Sequence, residues 1–101
     1  MKFMVFTSPT EHALKHPPTA LAYEAQIDRI REALSDGSIE TVYHGEGRAM
    51  FVVNAASPQE VEAFFQSIPL GDQMRRTIEP LEDFFAHATR IHGYLSANAA
   101  E

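Results

Sequence analysis

The order of elements in the sequence predicts an α+β domain in which a four-stranded antiparallel sheet carries two helices on one face. Stretches rich in β-branched and aromatic residues alternate with helical stretches in the order strand, helix, strand, strand, helix, strand. The two central strands are separated by a short glycine-containing turn, which makes them an antiparallel hairpin. One further helical stretch follows the fourth strand.

The first half of the chain supplies one strand and one long helix. Residues 2–7 are apolar and aromatic, and Ser8-Pro9 ends this strand. Residues 8–19 contain three Pro and two His and predict a loop, because a helix cannot continue through Pro17-Pro18. A helix is predicted over residues 19–34 and ends near Asp36-Gly37. Its apolar face consists of Ala20, Tyr23, Ile27, Ile30 and Leu34.

The second half of the chain supplies three strands and two further helices. Strands are predicted over residues 38–44, 48–55 and 74–78. Between the last two, Ser57-Pro58 is a typical helix start, since Ser caps the first turn and Pro fits its first position. The apolar face of this helix consists of Val61, Phe64, Phe65 and Ile68. The final helix is predicted over residues 82–95, and residues 96–101 are expected to fray.

The third predicted strand shows that both faces of the sheet need cover. Its residues are apolar on both sides, with Met50 and Val52 on one side and Phe51 and Val53 on the other. A sheet with one solvated face would alternate apolar and polar residues instead. We therefore expect the second face to pack against another subunit's sheet or against the final helix.

Length and composition restrict the classes of protein that this sequence can represent. The 101 residues suffice for one domain, residues 1–101. A net charge of −6 disfavours nucleic acid and anionic membranes as partners. The absence of Cys excludes disulfides, thiolate catalysis and sulfur-ligated zinc. The apolar run at the N-terminus is too short for a signal peptide, so a cytoplasmic protein is expected.

Several segments resemble a known family. The opening MKFMVF, the stretch FVVNAASPQEVEAFFQSIPLGDQM and the stretch TIEPLEDF are similar to the muconolactone isomerase-like branch of the dimeric α+β barrel superfamily. Residues 67–70 and 78–81 match its two Pro-Leu elements. The resemblance implies a ferredoxin-like fold, a pocket between sheet and helices, no metal and a homodimer or larger ring. Gly71-Asp72-Gln73 replaces the aromatic-Pro pair usual in that family, so a lactone substrate is not implied.

Histidine, tyrosine and carboxylate side chains are the candidates for acid–base chemistry. His44 and Glu46 lie two residues apart and share one face if the strand reaches Glu46, in which case the carboxylate would orient a histidine base. The alternative is a solvated hairpin end in which Glu46 pairs with Arg48. Tyr23 lies on the apolar helix face and is either a core tyrosine or a donor to a substrate carbonyl.

The sequence gives weaker support for a functional role of His12 and of the remaining candidates. His12 and His16 form a lid over the pocket, a plain surface loop or, as the least favoured alternative, part of a metal site. Arg75 and Arg76 either make salt bridges or hold a substrate carboxylate. The predicted catalytic residues are thus His44, Tyr23, His12 and Glu46, and the predicted substrate-binding residues are Tyr43, Arg76, Phe51 and Phe65.

Three functions fit these candidates. The first is a small cofactor-independent isomerase or cyclase that moves protons on a hydrophobic, carbonyl-bearing metabolite. The second is a cofactor-free monooxygenase, a role found elsewhere in the superfamily that the sequence resembles. The third is a non-catalytic ligand-binding protein of a metabolic gene cluster. We favour the first, with a small-molecule substrate, no cofactor and a homo-oligomeric assembly.

Overall fold

The computed structural model describes residues 1–99. Its elements are β1 (Lys2–Pro9), α1 (Glu11–Lys15), α2 (Ala20–Asp36), β2 (Ile39–His44), β3 (Ala49–Asn54), α3 (Pro58–Ser67), β4 (Met74–Leu81) and α4 (Phe84–Asn98). A short 3-10 turn, Gly71–Gln73, precedes β4. Of the end that was expected to fray, residues 96–98 belong to α4, and residues 100 and 101 lie outside the described residues.

The four strands form one antiparallel sheet in the order β2-β3-β1-β4. β1 lies inside the sheet, with Val5 opposite Phe51 of β3 and Ile78 of β4. This arrangement confirms the predicted ferredoxin-like α+β fold class.

The helix α3 packs tightly on one face of the sheet. It begins as predicted, because the Ser57 Oγ accepts a hydrogen bond from the Glu60 backbone N–H at 3.2 Å. Val61 and Phe65 of α3 are fully buried, and Ile68 just beyond its end is almost so. They pack in a core whose other buried members are Phe3, Val5, Ala33, Ile39, Phe51 and Val53.

The helix α2 covers the same face but turns toward it a side that only partly matches the one predicted. Its buried residues are Gln26 and Ala33, whereas Tyr23 is 56% exposed and Leu34 is 38% exposed. The prediction is wrong for Tyr23 and Leu34, whereas Ile30 does pack against the core as predicted. The small Ala33 lets the C-terminal half of α2 approach the sheet closely, while the N-terminal half stands away from it.

A short helix, α1, occupies part of the segment that was predicted to be a loop. The Thr10 Oγ1 accepts a hydrogen bond from the Ala13 N–H at 3.1 Å and caps the first turn. Pro17 and Pro18 follow the end of α1 and therefore do not interrupt its hydrogen bonds. The loop prediction is wrong for residues 11–15.

The final helix does not cover the second face of the sheet within this chain. None of the residues of α4 is buried, and Phe84 and Phe85 are largely exposed. The chain measures 63 Å along its longest axis, and its radius of gyration of 17.6 Å exceeds the ~13 Å typical of 100 compact residues. α4 therefore extends away from the body of the chain. Among the helices of residues 1–99, none combines the length and apolarity needed to cross a membrane.

Candidate functional site

A cavity of about 420 Å³ opens where the N-terminal half of α2 stands away from the sheet. Most of its wall is apolar, and α1 with the prolines after it forms one side. The apolar lining residues are Pro9, Ala13, Leu14, Pro17, Pro18, Ile27, Ile30, Ala49, Phe51, Leu70 and Met74. The volume lies within the range of roughly 300–1,000 Å³ found for small-molecule sites. The cavity can therefore hold one organic ligand of moderate size.

Polar side chains are found both at the mouth and inside this cavity. Tyr23 and His44 line it and are exposed to solvent, which places them at the mouth. Arg48 also borders it, but its guanidinium lies over the Phe6 ring, 4.5 Å from the ring centre, on the opposite face of the sheet. Thr7 and Gln26 also line it but are 4% and 5% exposed, which places them inside. An apolar ligand held here would thus meet hydrogen-bonding groups at two depths.

The hairpin between β2 and β3 determines the positions of His44 and Arg48. His44 is the last residue of β2 and lies opposite Ala49. The Gly45 N–H donates to the Arg48 carbonyl oxygen at 2.8 Å and closes the turn. Gly47 adopts a φ of +76°, a left-handed conformation that glycine adopts without strain. The turn therefore brings His44 and Arg48 to the same end of the hairpin.

The cavity contains three of the eight predicted site residues, namely Tyr23, His44 and Phe51. Phe51 lies between the cavity and the core, since its ring makes an edge-on contact with the Phe65 ring at 5.2 Å between centres. Phe65 itself is fully buried and does not line the cavity. It supports the wall from behind.

The hairpin places Glu46 and Tyr43 away from the cavity. β2 ends at His44, so the strand alternation that would set Glu46 beside His44 does not reach Glu46, which lies exposed in the turn. Tyr43 points to the other face of the sheet, as its position next to His44 in the strand requires, and is 67% exposed. Neither residue is among those lining the cavity.

His12 lies on α1, but that helix lines the cavity through other residues. Ala13 and Leu14 form the wall, while the His12 ring lies against the His16 ring at 4.7 Å between centres. Both histidines are exposed. Within residues 1–99, no three His, Asp or Glu side chains are grouped so that they could hold a metal ion.

Arg76 makes a salt bridge, the alternative that the sequence left open beside substrate binding. Its Nε donates to the Glu62 Oε2 at 2.9 Å, and its Nη2 donates to the Glu62 Oε1 at 2.5 Å. Its Nη1 donates to the Gly71 carbonyl oxygen at 2.7 Å. The hydrogen bonds that Arg76 donates to the carboxylate hold the pKa of Glu62 below its ordinary value of 4.5. Arg76 therefore links β4 to α3 and to the turn at Gly71, outside the cavity.

Two glutamines in the wall were missed by reasoning from the sequence. Gln26 is buried, and its Oε1 accepts a hydrogen bond from the Leu70 N–H at 3.1 Å. The Gln73 Oε1 is also buried and accepts no hydrogen bond from residues 1–99. The sequence did contain a signal that Gln26 is buried. It lies four residues before Ile30 and seven before Ala33 and is therefore on the same side of the helix.

Comparison with known proteins supports the fold. No protein-family model and no curated protein matches the chain. Among solved structures, it is similar to 5-chloro-2-hydroxyhydroquinone dehydrochlorinase (TftG) from Burkholderia phenoliruptrix, in complex with 2,5-dihydroxybenzoquinone. The TM-score is 0.60 at 16% sequence identity, over 81% of this chain and 94% of that chain. The two chains share a fold. Membership of the muconolactone isomerase-like branch stays a prediction.

Proposed function

We propose that this chain is a small cofactor-independent enzyme, an isomerase or cyclase, that moves a proton on a hydrophobic ring bearing a carbonyl group. The observation that carries the proposal is the position of His44, an ionisable side chain at the mouth of an otherwise largely apolar cavity. Histidine is the side chain most often used for proton transfer near neutral pH. The cavity volume suits one such ring.

The known ligand of the similar structure supports the class of substrate. The dehydrochlorinase acts on a chlorinated hydroxyhydroquinone, and its structure holds a dihydroxybenzoquinone. Such a molecule combines a flat apolar ring with carbonyl and hydroxyl oxygens at its edge. The cavity of this chain has the matching distribution, with Ile27, Ile30 and Phe51 for the ring and polar side chains at the mouth.

His44 and Tyr23 at the mouth have different roles in the proposed reaction. The neutral His44 imidazole takes a proton from the carbon next to the carbonyl, and the electron pair of the broken C–H bond moves onto the carbonyl oxygen. Tyr23 donates a hydrogen bond to the resulting enolate oxygen and so stabilises its negative charge. The protonated His44 then returns the proton to a different carbon of the ring, which moves the double bond.

Exchange of substrate protons with heavy water tests this proposal. The protein is incubated in D₂O with a panel of cyclic enones, lactones and hydroxyquinones, and NMR follows the loss of the proton next to the carbonyl. We expect protein-dependent exchange with at least one compound, and His44→Ala should slow it about 100-fold or more. His92→Ala, which removes an exposed histidine of α4, is the matched control and should exchange at the wild-type rate.

Three results would contradict the proposal. Equal rates in the wild type and in His44→Ala would remove His44 from the reaction. Tight binding of a compound without any exchange would identify a ligand-binding protein. Consumption of a compound only in the presence of oxygen would identify a monooxygenase.

We further infer that the active form is a homodimer that pairs through the open face of the sheet. The centre of this face is apolar and only partly buried, with Met4 and Val52 opposite each other. Along β4, Arg75 lies toward one end of the face and Glu79 toward the other. Two copies related by a two-fold axis near Thr77 would set each Arg75 against the partner's Glu79, so the face is complementary to itself.

Sedimentation equilibrium tests the dimer. The wild type should sediment with twice the mass of one chain, and Val52→Asp should sediment as one chain because it places a carboxylate in the centre of the pairing face. The control Ala25→Asp changes an exposed position of α2 and should stay dimeric. A monomeric wild type, or a dimeric Val52→Asp that keeps its fold, would contradict the inference.

A further inference from the structure

Gln26 is a buried polar side chain that the proposed proton transfer does not use. It lies on α2 one turn beyond Tyr23, which at a rise of about 1.5 Å per residue sets it about 4.5 Å further along the helix. Whereas Tyr23 is largely exposed at the mouth, Gln26 is almost completely buried. Both residues line the same cavity.

The orientation of the Gln26 carboxamide is determined by its hydrogen bonds. The Leu70 backbone N–H can only donate, so the atom that it meets at 3.1 Å must be the carboxamide oxygen. The Gln26 NH₂ group therefore points the other way, where the Met74 sulfur lies 3.9 Å from it. Gln26 and Met74 both line the cavity, so this contact belongs to the cavity wall.

The NH₂ group of Gln26 retains unused capacity to donate. It has two hydrogens, and a thioether sulfur is a weak acceptor. No oxygen within residues 1–99 accepts a hydrogen bond from it. Buried donors are nearly always paired, because an unpaired donor keeps the full cost of its lost hydration. A cavity wall with such a donor favours a ligand that brings an oxygen to it.

We propose that Gln26 is a specificity-determining residue that donates a hydrogen bond from Nε2 to a carbonyl oxygen of the ring at the inner end of the cavity. The inference rests on the proposed function in that it takes this cavity as the ligand site. It names a narrower ligand class, namely rings with one oxygen at the mouth, near Tyr23 and His44, and a second one inside. A para-quinone or a hydroxyquinone has this arrangement, and a ring with a single carbonyl does not.

Two variants that both remove the donor, one with an added charge and one without, test the role of Gln26. Gln26→Glu keeps an acceptor for the Leu70 N–H but replaces the donor, whereas Gln26→Met removes both groups and adds no charge. The control Gln59→Glu makes the same change at an exposed position of α3. Calorimetry measures the affinity for 2,5-dihydroxybenzoquinone and, as a ring without oxygen, for p-xylene. Circular dichroism and thermal melting show whether each variant folds.

We expect both Gln26 variants to lose about tenfold or more in affinity for the quinone relative to p-xylene, the size of one lost buried hydrogen bond. Gln59→Glu should match the wild type. A merely structural role would weaken both ligands alike, so an unchanged ratio would overturn the inference, as would a wild type that does not bind the quinone. The proton-transfer proposal fails separately, if His44→Ala exchanges substrate protons at the wild-type rate while the Gln26 variants still discriminate.

Discussion

The two helices on the covered face of the sheet pack against it to very different depths. α3 buries Val61 and Phe65 completely in the core, and Arg76 holds it to β4. α2 buries only Gln26 and Ala33 and leaves Tyr23 largely exposed. The gap under its first half is the cavity. We therefore expect the α3 side to provide most of the stability and the α2 side to form the proposed ligand site, so different residues should control the two properties.

The largest expected effect on stability lies under α3. Phe65→Ala empties a fully buried position between Phe51 and Phe64 and should lower the free energy of unfolding by about 3–5 kcal/mol. On α2, Leu21→Ala removes a side chain that is 76% exposed and should change it by less than about 0.5 kcal/mol. Urea denaturation measures both. Similar losses in the two variants would contradict the expected difference in stability between the α3 side and the α2 side.

Gly71, in the turn that follows α3, should be the next most sensitive position. A Cβ at this residue would lie 1.7 Å from the Phe65 carbonyl oxygen, which belongs to the helix backbone and cannot move aside easily. Gly71→Ala should therefore cost about 1–3 kcal/mol of unfolding free energy. Gly93→Ala is the control, since its Cβ would meet no atom within 4 Å, and it should leave stability equal or slightly higher. Equal urea midpoints for both variants would mean that the chain adjusts freely at Gly71.

The salt bridge between Glu62 and Arg76 should make the α3 side sensitive to acid. Because the pKa of Glu62 is lowered in the folded chain, its contribution is complete above 4.5 and is lost as the pH falls below that value. Glu62→Gln should cost about 1 kcal/mol at pH 7, a modest value because the Glu62 side chain is 39% exposed. The difference from wild type should shrink as the pH falls below 4.5. A difference that stays constant over this range would rule out this explanation.

The same contrast between the two sides shows how far the sequence could be read. The strands and α3 were predictable because Phe3, Val5 and Phe65 belong to regular apolar patterns. Side chains in such patterns are normally buried in a shared core, as these three are. The site was less predictable. Gln26 was missed because a polar residue on a helix is normally solvated, and the Leu70 N–H that pairs with it when buried lies on a distant segment of the chain. Arg76 has Glu62 as its partner on another element, which spacing along the chain cannot reveal.

Tyr23 should show the smallest effect on stability and a clear effect on function. Tyr23→Phe keeps the ring and removes only the hydroxyl at the mouth, so the free energy of unfolding should change by less than about 0.5 kcal/mol. If the hydroxyl stabilises the enolate, proton exchange should slow about tenfold or more. The pair of measurements separates the two properties. If Tyr23→Phe exchanges substrate protons at the wild-type rate, Tyr23 lines the cavity but takes no part in the proton transfer.

An NMR titration of the isotope-labelled protein with 2,5-dihydroxybenzoquinone tests most directly that the gap under α2 is the ligand site. The backbone amide signals of Tyr23, Gln26 and His44 should shift together with a single dissociation constant, while those of Val61 and Phe65 under α3 stay in place. Shifts confined to the open face of the sheet, around Phe6 and Arg75, would contradict this account.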